Sequence, residues 1–105
     1  MGRITIAVYR PKKGCEAELD ELVKAHLPVL RKEGLVTDRL PVVMKAADQT
    51  VVEVFEWKSK EAILLAHSNT AVLKMWGSFN EVCEYLAPVS VPEFQNMFAE
   101  FEAAN

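Results

Sequence analysis

Cysteine is scarce in this chain. Cys15 and Cys83 stand far apart, with no Cys-x-x-Cys pair and no clustered histidines. That pattern writes neither a zinc site nor a disulfide framework, and a reduced, cytoplasmic chain is the expectation. Long apolar runs are missing too: none approaches the roughly 20 residues of a membrane span, so no membrane association is expected. No block of like charge exceeds "PKK", and the formal charge is −3, which argues against a nucleic-acid-binding surface. The opening "MGRITIAVYRPKKG" carries a charge at Arg3 and only a short apolar run, unlike a signal peptide, and it has no Ser or Thr at residue 6 for a myristoylation signal. A Gly-rich phosphate loop, a dinucleotide fingerprint and haem or flavin motifs are absent as well, so no cofactor is expected.

What the chain does have is apolar content, 50% of its 105 residues, enough for one core and too short for two. A single domain, 1–105, is the reading. The run "RITIAVYR", 3–10, alternates Ile4, Ile6 and Val8 against Thr5, Ala7 and Tyr9, with no charge in the middle of either face. It predicts a strand covered on both sides. From about Cys15 to Glu33, Leu19, Leu22, Val23, His26, Leu27 and Leu30 recur at helical spacing, with acidic residues early, "RK" late and Gly34 as the stop. "TDRLPVVMKAA", 37–47, reads as a second strand whose start Pro41 confines to an edge or a bulge. A turn at "DQ" leads into "TVVEVFEW", 50–57, the strongest strand in the chain. Ser59 is a candidate cap for a short helix, 59–67, and Ser68 or Asn69 for a second running to about Leu86. "APVSVPE" breaks that helix, and "NMFAEFE", 96–102, reads as the last strand.

The order β-α-β-β-α-β is the ferredoxin-like plan, an α+β domain with an antiparallel sheet and its helices on one face. Because the strands look apolar on both faces, the open face is expected to be buried by the sheet of a second subunit, a homodimer.

"VFEWKSKEAILLAH" before an amphipathic helix, after a strand, a helix containing "H…LR…G" and a hairpin, resembles the antibiotic biosynthesis monooxygenase (ABM) domain. The resemblance runs over nearly the whole chain. It implies a dimeric α+β barrel, in which two sheets pack across the dimer and each subunit keeps a pocket between its own sheet and helices. It also implies one of several activities: cofactor-independent oxygenation of quinols or polyketides, haem degradation, or isomerisation of a phosphorylated sugar. Haem degradation is excluded residue by residue. The family's catalytic Asn, Trp and proximal His would fall at Ala7, Ala66 and Trp76, and an indole cannot ligate iron.

His26 is the candidate catalytic base. At about 100° per residue it falls close to Leu30 and between Leu22 and Val23, so its ring points toward the sheet, and a buried neutral imidazole can accept a proton. The competing reading is a core histidine bonded to a strand carbonyl. Pro28 removes the hydrogen bond to the Lys24 carbonyl, and a bend there is expected to open space beside His26. His67 is the position the resemblance marks for ligand contact, against a structural joint between two helices. Glu53 shares a face with Val51, Phe55 and Trp57 and, as a partly buried carboxylate, needs a partner such as Arg39, Lys45 or a histidine; an ion pair across the dimer is the favoured expectation, a pocket carboxylate the alternative. Thr5 and Ala7 leave volume that Tyr9, Phe55, Trp76, Phe79 and Met75 can wall, although Trp76, Phe79 and Met75 also fit a plain core stripe.

The expected activity is therefore cofactor-independent oxygenation of a quinol-like or other electron-rich aromatic small molecule. The alternatives are an isomerase or lyase of a small polar metabolite, which needs Arg39 or Lys45 inside the cavity, and a binding protein without catalysis. A cavity below about 100 Å³ beside His26, far short of the roughly 300 Å³ of ordinary ligand sites, excludes both enzyme readings.

Overall fold

A computed structural model describes residues 2–105. Its core elements are strand β1 (Arg3–Pro11), helix α1 (Glu16–Lys32), strands β2 (Val42–Lys45) and β3 (Val51–Trp57), and helices α2 (Lys60–Ala66) and α3 (Thr70–Val82). Strand β4 (Cys83–Leu86), two 3₁₀ turns (Pro88–Ser90 and Pro92–Gln95) and a terminal strand β5 (Glu102–Ala103) follow. All strand pairs are antiparallel, in the order β4-β1-β3-β2-β5. The result is a small α+β domain with a five-stranded sheet and three α-helices. None of the helices is long and apolar enough to cross a membrane among the described residues.

The helix boundaries follow local chemistry. Ser59 Oγ accepts from the Ala62 amide and Asn69 Oδ1 from the Val72 amide, so α2 and α3 each begin at a side-chain cap. At the end of α1, Gly34 is left-handed (φ 73°), and the Leu35 and Gly34 amides donate to the Leu30 and Arg31 carbonyls. That is a Schellman closure, which a side chain at residue 34 would strain.

Two expected elements differ. Residues 83–86 are strand, not the end of the long helix: Cys83 is extended, and Leu86 and Cys83 lie opposite Val8 and Pro11 of β1. The free edge of β1 needs hydrogen-bond partners, and pairing there outweighs the helical spacing of Cys83 and Leu86. The "NMFAEFE" run is irregular apart from its end, which leads into a short pairing with the edge of β2: Met44 meets Ala103 and Lys45 meets Glu102. β2 itself is shorter than expected, starting after Pro41, although an isolated bridge from Val36 to Trp57 keeps the preceding chain beside β3.

The register divides the sheet into two faces. Thr5, Ala7 and Tyr9 lie opposite Phe55, Glu53 and Val51. This face meets α1 and α3 in the main core, whose centre includes Leu19, Leu30, Val72 and Phe79. The other face carries Ile4, Ile6, Val8, Val52 and Val54. Part of it is covered by the chain itself, since Val8 and Val52 pack with Val91, Phe94 and Phe101. Ile4 (54% exposed), Ile6 (45%) and Val42 (53%) remain open, and Phe98 beyond them is 85% exposed.

Candidate functional site

Glu53 occupies the middle of β3, directly opposite Ala7, and is fully buried. Because it alternates with Val51 and Phe55, the pleat turns it toward the helices. There the Tyr9 hydroxyl donates to Oε1 at 2.8 Å, and His26 Nδ1–H donates to the same oxygen at 2.7 Å. Glu53 thus pairs inside its own subunit rather than across a dimer, which corrects the expectation. Arg39 and Lys45 are engaged elsewhere, with Glu56 at 3.1 Å and Asp20 at 3.0 Å.

His26 stands in an aromatic box. Its ring lies edge-on to Phe55 at 5.2 Å and to Phe79 at 5.3 Å, with Tyr9 perpendicular at 6.5 Å. It is buried, but its partner is a carboxylate and not a strand carbonyl. With Nδ1 committed as donor, Nε2 is the basic nitrogen, and it has no protein partner among the described residues. Glu53 Oε2 is buried without any hydrogen bond. A proton taken up at Nε2 would therefore create an imidazolium in contact with a carboxylate that has little else to compensate its charge. Burial, with the Glu53 charge next, pushes the Tyr9 phenol far above its ordinary range, so Tyr9 remains a donor to Glu53.

A cavity of about 360 Å³ opens beside this group, well above the volume that would exclude a ligand. Tyr9, His26, Phe55, His67, Trp76 and Phe79 all line it, whereas Met75 belongs to the core and does not. Thr5 and Ala7, the small residues of β1, line it as well. No lysine or arginine does, so a small polar anion finds no cation there. His67 caps the end of α2, donating Nδ1–H to the Ile63 carbonyl at 2.8 Å, and its ring meets Trp76 at 5.2 Å. It is a helix joint that also borders the cavity. Pro28 plays no part here: α1 runs through it unbroken, and it is exposed on another side of the helix. Two positions on from His26, it lies about 200° around the helix and does not line this cavity.

Tyr85 and Asn80 also line the cavity and are not evident from sequence spacing. Tyr85 sits opposite Tyr9, 5.8 Å between ring centroids. Period-two alternation over 83–86 was the signal available, but in four residues it is indistinguishable from a helix end. Burial pushes the Tyr85 phenol up to about 12. Among the described residues no group of three or more His, Cys, Asp or Glu could hold a metal ion.

No family model, curated protein or solved structure matches this chain.

Proposed function

We propose that this chain is a cofactor-independent monooxygenase of the ABM type, acting on a quinol-like or other electron-rich aromatic small molecule. The observation that carries the reading is the 2.7 Å contact between His26 and Glu53 at the wall of an aromatic cavity. A carboxylate that orients an imidazole and compensates its charge is the arrangement a general base requires.

His26 Nε2 takes the phenolic proton of a bound quinol-like phenol whose para carbon carries hydrogen. The phenolate passes one electron to dioxygen, the co-reactant, giving an aryloxyl radical and superoxide. These combine at the para carbon, forming a C–O bond. The distal peroxo oxygen takes the ring proton from that carbon as O–O breaks, leaving a second carbonyl, and the departing hydroxide takes the proton held by His26 and leaves as water. One phenol and one dioxygen become one quinone and one water. Aromatic walls exclude bulk water from the radical pair.

The strand order is compatible with a ferredoxin-like sheet, and a homodimer of the α+β barrel kind completes the reading. Ile4, Ile6 and Val42 are the exposed apolar positions that a second copy would cover.

The test is oxygen uptake with a panel of quinol-like phenols and naphthols that carry hydrogen at the para carbon, comparing the wild type with His26→Ala. Loss of a positioned base is expected to slow turnover by about 10²- to 10⁴-fold. Equal rates would remove His26 from the mechanism, and binding of the panel without oxygen consumption would identify a binding protein instead.

A further inference from the structure

A second concavity, sharing no lining residue with the first, lies between α1 and β2 and holds about 470 Å³. Its apolar wall includes Val23 and Leu27 of α1, Pro28, Pro41 and Val43. Its charged side chains are unbalanced, Lys24, Arg31 and Lys45 against Asp20, and Ala104 and Asn105, hydrogen-bonded to Val43 and Pro41, complete the lining. Asp20 is already engaged by Lys45 at 3.0 Å. Lys24 meets only the exposed Glu21, which is not part of the lining, at 3.4 Å.

Arg31 is the unusual member. Its Nε is buried yet donates no hydrogen bond, and the nearest carboxylate oxygen, on the fully exposed Asp38, is 3.9 Å away. Nη2 reaches only the Thr37 carbonyl, at 3.3 Å. No close carboxylate neutralises this guanidinium, and a carboxylate entering the groove would pair with the N–H groups of Arg31 that Thr37 does not engage.

We infer that this groove is a binding site for a small amphipathic monocarboxylate, its carboxylate on Arg31 and its apolar body along Val23, Leu27, Pro28 and Val43. A neutral apolar molecule would leave Arg31 unsatisfied, and a cation would meet three like charges. The volume falls within the range of ordinary small-molecule sites. This site is independent of the chemistry at His26.

The test is an amide NMR titration of the isotope-labelled protein with octanoate, run beside 1-octanol and octylammonium. Octanoate is expected to shift the Leu27, Val43 and Lys45 amides saturably, with the other two probes binding more weakly. Arg31→Gln is expected to weaken octanoate by about tenfold or more, the effect of losing a charge-assisted hydrogen bond. Arg31→Lys, which keeps the charge but not the fork, should fall between. The inference is overturned if octanol binds as tightly as octanoate, if Arg31→Gln binds octanoate normally while folded, or if the shifts gather around His26 or never saturate. Should Arg31→Gln fail to fold, Arg31→Lys and the comparison of the three probes still decide the matter.

Discussion

Glu53 and His26 come from elements far apart in the chain and meet at 2.7 Å inside the core, the carboxylate fully buried and the imidazole nearly so. Glu53 Oε1 serves two donors while Oε2 serves none. This is an expensive arrangement for stability, of a kind that clusters at functional sites and also occurs in structural networks.

Replacing Glu53 by Ala strips two buried donors of their acceptor and is expected to lower stability by about 3 kcal/mol, read from urea midpoints. A triple replacement, Tyr9→Phe with His26→Leu and Glu53→Met, removes the polar network entirely and should be at least as stable as the wild type while inactive. A Glu53→Ala midpoint equal to wild type would mean that the network contributes nothing to the fold.

Alkali probes the same core. The folded-state values of Tyr9, Tyr85 (about 12) and Cys83 (about 11) lie above their ordinary values of 10.0, 10.0 and 9.0, so the unfolded chain loses these protons first. Stability is therefore fully present below about pH 9 and falls progressively above it. Tyrosinate absorbance at pH 10 is expected to stay low in the folded protein and to rise together with loss of the circular dichroism signal. Two tyrosines titrating freely with the fold intact would contradict the burial of Tyr9.

Ala7 lies opposite Glu53 and leaves part of the cavity open. Ala7→Leu adds methyl groups there at a cost of about 1–3 kcal/mol from overpacking. If the proposed oxygenation takes place in this cavity, the variant should remain folded and lose oxygen uptake with bulky phenols before smaller ones. Unchanged turnover across the panel would place the reaction outside this cavity.

The open sheet face gives a test of assembly. Sedimentation is expected to show a dimer for the wild type and a monomer for Ile6→Lys, because a charge amid Ile4 and Val42 must be desolvated for the faces to meet. The Ile6 side chain is half exposed in the single chain, so the monomer should retain its circular dichroism spectrum. A wild type that sediments as a monomer at high concentration would overturn the dimer.

The sequence by itself determined what depends on neighbours along the chain. The α1 stripe that buries His26, the Ser59 and Asn69 caps, the Gly34 stop and the alternation of β1 and β3 all rest on local spacing and local hydrogen bonds, and each is present. His26 and the aromatic residues could be assigned to a sheet-facing side in the same way. Tertiary structure alone decided the rest. Whether residues 83–86 become strand depends on the free edge of β1, and the short pairing at the end of "NMFAEFE" depends on the edge of β2. The partner of Glu53 depends on a register that sets Ala7 opposite it and on the docking of α1, which brings His26 onto the same oxygen as Tyr9. A strand pattern says which residues share a face, but the element packed on that face supplies the partner.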